Sequence, residues 1–167
     1  LREREMLIQR LQGHSLDTKK VSQNSIEDPR NVTVRMHMTR NHLGQIAGVS
    51  DNVFEQFGWN ADSLKGSNIG VLMPEFLQTK HNEFLVSHLE TGKSVVTFAN
   101  RFIFGKHKDG HLIPQYMYVT PHPSIEKEFM YIGIMRPVQD MNDYILITSE
   151  GIILGFTLGI ANDLMRS

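Results

Sequence analysis

Two histidines on one predicted helix raise the first chemical question. His81 and His88 stand seven residues apart within the stretch from Pro74 to Thr91. A neutral imidazole can bind a metal or share a hydrogen bond with a ligand. Because seven residues of α-helix span roughly 10 Å, the two rings cannot hold the same ion. Any binding chemistry on this helix therefore belongs to each histidine separately.

The spacing of the two histidines places them on one side of that helix. They recur with apolar residues at i, i+3, i+4, i+7 and i+8, which is the spacing of a single helical face. The members of this stripe are His81, Phe84, Leu85, His88 and Leu89. Both rings should therefore point inward, toward the sheet. An inward position alone fits either a ligand site or an ordinary packed face.

Other reactive groups give no indication of a catalytic site. The serines stand in no nucleophile motif, and the sequence has no glycine-rich phosphate loop. It has no cysteine, which excludes disulfides, thiolate metal sites and photochemistry through a cysteine adduct. His107 and His111 flank a turn at Gly110, where a solvated turn is favoured over a metal site. We predict that the chain is not an enzyme and has no metal site built from side chains alone.

Charge and hydropathy exclude two classes of partner. The 17 basic and 18 acidic residues nearly balance, so no strongly basic surface for nucleic acid or anionic lipid is expected. Every apolar run is far shorter than the roughly 20 residues of a membrane-spanning helix. This segment should therefore not insert directly into a membrane.

The elements that position these groups follow an α+β order. Alternating and β-branched stretches predict five strands, and helical stretches lie between the second and third strands. Lys108, Asp109 and Gly110 predict a hairpin turn between the third and fourth strands. We therefore expect a five-stranded antiparallel sheet with small helices on one face. The predicted strands are 32–38, 45–50, 94–107, 111–121 and 129–138, and the predicted helices are 51–58, with Ser50 or Asp51 as N-cap, 60–66 and 74–91.

Segments with a different character flank this central unit. Residues 1–12 have heptad-like spacing of Leu1, Ile8 and Leu11, which predicts a linker helix. Residues 13–31 are polar and rich in turn formers, which predicts a loop. Since the sequence starts without Met, we expect it to be a piece of a longer protein. The expected organisation is a linker helix and loop at 1–31, a domain at 32–138 and a separate unit at 139–167.

The tail resembles the beginning of the domain. Four small or apolar residues recur at an offset of 107 residues, which indicates an internal repeat. The repeated positions are Gly44 and Gly151, Ile46 and Ile153, Gly48 and Gly155, and Ser50 and Thr157. We predict that Tyr144–Thr148 and Ile152–Thr157 form a hairpin that starts a second copy. Because a lone hairpin exposes an apolar face, it should pack on the domain, on the N-terminal helix or on a partner chain.

Two longer motifs identify a resemblance to the PAS domains. The stretches "GQIAGVSDNVFEQFGWNADSLKGSNIGVLMP" (44–74) and "GKHKDGHLIP" (105–114) resemble motifs of that family, and the run "DYILITSEGIILGFT" (143–157) resembles PAS units of large multi-pass membrane proteins of protists. The resemblance implies a sensory or docking module with a cleft between sheet and helices. It also implies a cytosolic place within a membrane protein.

One subgroup of the family suggests a cofactor. The run from Leu72 to His81 resembles the heme PAS domain of bacterial oxygen-sensing kinases, in which His81 would be the axial ligand and Arg101 the distal residue. Two positions depart from that subgroup, because Ser87 replaces an Arg and His88 replaces a Tyr. The three residues that this alternative would use are His81, Arg101 and His88. A redox flavin bound without a cysteine has no positive indication.

We therefore expect a non-catalytic sensory or interaction module without a cofactor, and a heme-based gas or redox sensor is the alternative. Partners should be other domains of the same chain or other proteins, reached through the sheet face, the N-terminal helix or the C-terminal hairpin, with a homodimer as one form. His81 should be partly buried and hydrogen-bonded in a small or empty cleft that Phe84, Phe98, Phe102, Met117 and Tyr131 fill. Arg101 should lie on the outer face or pair with an acidic residue.

Overall fold

A five-stranded antiparallel sheet forms the centre of the protein. The computed structural model describes residues 26–92, 99–123, 128–138 and 142–166. The strand order is β2-β1-β5-β4-β3, which confirms the predicted sheet. The predicted linker helix at 1–12 and the start of the strand predicted at 94–107 lie outside the described residues. The strands are β1 (Val32–His37), β2 (Ile46–Val49), β3 (Arg101–Lys106), β4 (Leu112–Pro123) and β5 (Phe129–Pro137).

The helices follow β2, as predicted. Gly58 and Gly92 adopt left-handed φ angles of 72° and 66°, and such residues commonly end helices. Pro74 precedes the long helix, where its missing N–H costs no hydrogen bond. The helices are α1 (Val53–Phe57), α2 (Ala61–Leu64), a 3₁₀ helix (Ile69–Leu72) and α3 (Glu75–Thr91).

The predicted cap of α1 is wrong. The N-cap is Asn52, and neither Ser50 nor Asp51 occupies that position. Ser50 is engaged elsewhere, because its Oγ accepts the backbone N–H of Thr33 at 2.9 Å. The same hydroxyl donates to Asn52 Oδ1 at 2.6 Å. Ser50 therefore ties the end of β2 to β1 instead of capping the helix.

The hairpin of β3 and β4 and the inward stripe of α3 both confirm the sequence analysis. Arg101 pairs with Met117, and Lys106 pairs with Leu112 across the turn. On α3, Leu85 and His88 are buried, whereas the intervening positions 86 and 87 are exposed. The helix therefore packs its predicted face toward the sheet. The larger core cluster joins Val32, Val34, Ile46, Val53, Phe57, Leu64, Leu72, Ile113 and Met135, and a smaller one joins Met38, Leu85 and Tyr131.

The tail forms a second hairpin with the same pairing pattern as the first. It consists of β6 (Ile145–Ile147) and β7 (Ile153–Phe156), followed by α4 (Leu158–Arg166). Both hairpins carry a register shift, a β-bulge, between the second and third pairs. The pairs are Val34–Val49, Arg35–Gly48 and Met36–Ile46 in the first hairpin, and Ile145–Phe156, Leu146–Gly155 and Ile147–Ile153 in the second.

This second hairpin packs on the first sheet, which is one of the arrangements that the sequence predicted. The ring of Tyr144 lies 5.9 Å from that of Phe102 and 5.5 Å from that of Phe104, between centroids. Thr157 forms a parallel β-bridge with Leu112 at the start of β4. A Cβ on Gly155 would lie 3.0 Å from Leu112 Cδ2, so glycine permits this close approach. The tail therefore docks against β3 and β4.

Candidate functional site

A largely apolar cavity lies between α3 and the sheet. Its volume is about 330 Å³. This lies at the lower end of the roughly 300–1,000 Å³ range of small-molecule sites. Methionines from three strands and two loops contribute much of the wall, and such side chains adapt readily to an occupant. These methionines are Met36, Met38, Met73, Met117 and Met135.

The cavity is small, as expected, but not all of the bulky residues expected to fill it do so. Phe84, Met117 and Tyr131 line the cavity as parts of its wall. Phe102 points to the other side of β3, where it contacts Tyr144 of the tail. Phe98 lies outside the described residues. Phe102 lies outside the cavity because neighbouring residues of a strand face opposite sides of a sheet, and its neighbour Ile103 faces the cavity.

His81 lines the cavity from α3. The residue is partly buried, as expected. Its Nδ1 is fully buried and has no hydrogen-bond partner within the described part of the chain, so the expected hydrogen bond is absent at this atom. Burial lowers the pKa of His81, because removal from water disfavours the charged form. The ring is therefore neutral at pH 7, the form that can bind a metal or accept a hydrogen bond.

His88 is committed to a contact within the protein. Its Nε2 lies 2.7 Å from the hydroxyl oxygen of Tyr131 on β5, and both residues are buried. Its ring stacks on that of Phe84, with 6.2 Å between centroids. This arrangement satisfies one ring nitrogen and holds α3 against the sheet. His88 therefore lies in the cavity wall beside His81 but already has a partner.

Arg101 lies at the exposed end of the cavity. It is the first residue of β3 and pairs with Met117, another lining residue. Arg101 lines the cavity and does not lie on the outer face of the sheet, and the other expected arrangement, a pair with an acidic residue, stays a prediction. The residue is nevertheless exposed, so its guanidinium can stay hydrated there. The structure thus brings together all three residues of the heme alternative around one cavity.

Gln115 is a lining residue that the sequence analysis missed. It is 1% exposed, and its Nε2 lies 3.6 Å from Met135 Sδ, a weak contact. Its Oε1 is buried and has no hydrogen-bond partner among the described residues. The indication was present in "LIPQYMYV", since alternation places Gln115 on the same side as Ile113 and Met117. An amide on the apolar side of a strand requires a partner or an occupant.

The residues of the cavity suit a heme in chemistry better than in size. The buried and neutral ring of His81 fits an iron ligand, and Arg101 at the exposed end fits a propionate. A porphyrin needs more room than about 330 Å³. The methionines would therefore have to move apart. When bound, a heme would supply reversible gas binding or one-electron redox chemistry.

The described residues contain neither a membrane-spanning helix nor a cluster of three metal ligands. No helix among them is long and apolar enough to cross a bilayer. No three His, Asp or Glu side chains in these ranges lie close enough together to hold a metal ion. His107 and His111 stack with 4.3 Å between ring centroids, without a third ligand of that kind in the described part.

Known proteins resemble the chain in sequence over part of their length. No family model matches the chain. A probable serine/threonine-protein kinase of Dictyostelium discoideum is 29% identical over 116 residues, which are 70% of this chain and 8% of the kinase. The sensor protein FixL of Bradyrhizobium diazoefficiens is 27% identical over 84 residues, 50% of this chain and 16% of FixL. The chain thus spans a small part of either relative.

A solved structure shares the architecture. The crystal structure of the PAS domain of a protein from Colwellia psychrerythraea aligns with a TM-score of 0.52 and 16% identity. The alignment covers 73% of this chain and 98% of that domain. At this identity the likeness concerns the fold alone. It agrees with the strand order and with the grouping of helices after the second strand.

Proposed function

The chain has the PAS fold, and on that premise we propose that residues 32–138 act as a non-catalytic sensory and interaction module. One observation carries the proposal: β3 is a wall shared by the cavity and the docked tail. Ile103 lines the cavity, whereas its neighbour Phe102 contacts Tyr144 of the tail. A change inside the cavity that moves β3 would therefore move the surface on which the tail rests. β3 is therefore the element through which an occupant of the cavity would act on the docked tail.

The experiment fills the cavity without touching the tail. Ile103→Phe adds volume inside, and overpacking of this kind shifts backbone at a cost of about 1–3 kcal/mol. We expect amide hydrogen exchange at Leu146 and Thr157 to change at least about threefold, because the docking surface on β3 moves. Val86→Phe on the exposed side of α3 is the matched control and should leave these rates unchanged. Unchanged exchange in β6 and β7, despite shifted resonances around the cavity, would contradict the proposal.

The tail at 139–167 is proposed as the beginning of a second PAS-like unit, beside a linker at 1–31. The support is the repeated register with its bulge, together with the left-handed glycines Gly44 and Gly151, at φ 76° and 84°. Its apolar side chains remain exposed, which suits a surface that other domains or a partner protein cover. The largest exposed examples are Ile147, Ile152, Ile153, Leu164 and Met165. A homodimer through this surface would appear as concentration-dependent mass in sedimentation, abolished by Ile153→Lys.

The wider setting is proposed from the relatives and the sequence. The matched kinase and the sensor protein FixL are both far longer than this chain. A sensory unit within a larger signalling protein agrees with such relatives. The likeness of "DYILITSEGIILGFT" to PAS units of protist membrane proteins favours the cytosolic part of a membrane-associated parent. The absence of cysteine agrees with a reducing compartment.

A heme sensor that uses His81 is the second candidate. Its support is the buried Nδ1 of that residue, which has no partner within the described ranges. The test is the Soret region of the visible spectrum after expression with added hemin. A sharp band that His81→Ala abolishes, and that the control His42→Ala keeps, would establish this candidate. If no band forms, or if both variants retain it, His81 is not the ligand.

A further inference from the structure

Two buried polar atoms are unsatisfied at one apolar cavity. Gln115 Oε1 and His81 Nδ1 both lack a hydrogen-bond partner within the described chain, and both residues line the same space. Native proteins rarely bury a polar atom without a partner, because its lost hydration is not replaced. Cavities that are empty are lined by apolar groups alone. This cavity therefore has the character of a site whose occupant completes the hydrogen bonding.

Gln115 sets the polarity of that occupant. Its Nε2 is directed toward Met135 Sδ and lies against Gly105, where a Cβ would come within 2.8 Å of it. This leaves Oε1 as the available atom, and a carbonyl oxygen only accepts hydrogen bonds. The occupant must therefore donate an N–H or an O–H. The neutral ring of His81 can supply a second acceptor or donor, according to its tautomer.

The wall also sets the charge of the occupant. Among the described lining residues, Arg101 carries the only formal charge, and it lies at the exposed end. Gln115, at 1% exposure, lies among apolar neighbours. A charged group placed beside it would lose its hydration without gaining an opposite charge. The inner part of the occupant is therefore neutral.

We propose that the cavity binds a small neutral organic molecule with an apolar body and at least one N–H or O–H group, which donates to Gln115 Oε1. The inference rests on the proposed sensory function, for which this molecule would be the signal. A volume of about 330 Å³ restricts it to compounds near the small end of ordinary ligands. The five methionines of the wall allow several shapes of apolar body. Ordered water is the competing occupant, and it would give no preference between donor and non-donor ligands.

A matched pair of probes tests the donor. Indole carries one N–H, and indene has nearly the same shape without it. Each is titrated into the full 167-residue chain while amide and methyl resonances are recorded by NMR. We expect both probes to shift resonances of Ile103, Met117 and Val119, with indole binding about three- to tenfold more tightly, the range that one net hydrogen bond provides.

Variants of the two polar residues locate the hydrogen bond. Gln115→Met keeps the length of the side chain and should bring the indole-to-indene affinity ratio close to one. His81→Phe is the second variant, used should Gln115→Met fail to fold. It should lower the indole-to-indene affinity ratio if the His81 ring also accepts the indole N–H. Tyr116→Phe is the control, because it removes a hydroxyl from the same strand on the side away from the cavity, and it should keep the ratio.

Four outcomes would overturn the inference. They are equal affinity for the two probes in the unsubstituted chain, shifts that lie away from the cavity, an indole preference that Gln115→Met retains, and no binding of either probe at millimolar concentration. None of these outcomes affects the proposed coupling of β3 to the tail, because the exchange experiment with Ile103→Phe uses no ligand. The two proposals can therefore fail separately.

Discussion

The hairpins β1–β2 and β6–β7 have the same local structure, but the first is buried in a core and the second is largely exposed. In the first, Ser50 N–H donates to Thr33 O at 2.9 Å and Ser50 Oγ accepts from Thr33 N–H at 2.9 Å. In the second, Thr157 N–H donates to Tyr144 O at 3.0 Å, and Thr157 Oγ1 accepts from Tyr144 N–H at 3.1 Å. Both hairpins therefore share the same three features: a hydroxyl that accepts a backbone N–H, a β-bulge and a turn at a left-handed glycine.

Burial separates the two regions. Ile46 is 1% exposed, whereas its counterpart Ile153 is 58% exposed. Phe57 on α1 is fully buried, whereas Leu164, at the same position of α4, is 60% exposed. In the five-stranded sheet β1 also pairs with β5, while the small sheet of the tail contains only two strands in the described residues. The local sequence therefore specifies the hairpin, and the other strands and helices of a unit create its core.

The largest expected effect compares the two equivalent helix positions. Phe57→Ala should lower the free energy of unfolding by about 3–5 kcal/mol, because it leaves a cavity in the main core. Leu164→Ala should change it by less than about 0.5 kcal/mol, because that side chain is already largely in water. Urea unfolding followed by circular dichroism measures both. Similar losses for the two variants would show that the tail has a core of its own.

A smaller effect concerns the hydroxyl that closes each hairpin. Ser50→Ala should lower global stability by about 1–2 kcal/mol, since it leaves the Thr33 N–H without its acceptor. Thr157→Val should leave global stability nearly unchanged. It should instead increase the exchange rate of the Tyr144 amide, because the loss stays within the docked tail. The comparison fails if Thr157→Val lowers the global unfolding free energy as much as Ser50→Ala.

The smallest expected effect concerns the ionic link of Asp28 with Arg30 and Arg136, beside the five-stranded sheet. Hydrogen bonds from Arg30, with a lesser contribution from the charge of Arg136, lower the pKa of Asp28 far below its usual value. Arg136, on β5, also donates to Asn31 Oδ1 at 2.8 Å, which joins residues 28–31 to that strand. A carboxyl group with a lowered pKa stabilises the fold above its unfolded pKa of 3.8, and this contribution falls as pH decreases toward the folded pKa.

The variant Asp28→Asn tests this link. It should be less stable than the unsubstituted chain at pH 7, and the difference should narrow as the pH falls below about 4. Asp163→Asn, at an exposed position of α4, is the control and should show no such dependence. Urea midpoints measured from pH 7 to pH 2 give the comparison. A difference that stays constant over this range would mean that the charge of Asp28 is not responsible.

Most of the fold could be predicted from the sequence because its main determinants are local. Alternation of apolar and polar residues predicted the strands, and the stripe from His81 to Leu89 predicted the inner side of α3. The exception was Ser50, predicted as a helix cap, which instead bonds to β1. A hydroxyl at the end of a strand can cap the following helix or bond to the neighbouring strand. Only the distance between Ser50 and Thr33 decides between these two roles.

The sequence by itself determined the order of the elements, the repeated hairpin and the inward direction of His81 and His88, because periodicity and turn chemistry act over a few residues. Tertiary structure alone decided the rest. It gave His88 a partner in Tyr131 and left His81 Nδ1 without one in the described chain. It brought Gln115 to the same cavity from a strand far along the chain. The physical reason is that hydrogen bonding and cavity volume depend on distances between distant segments, which no local pattern encodes.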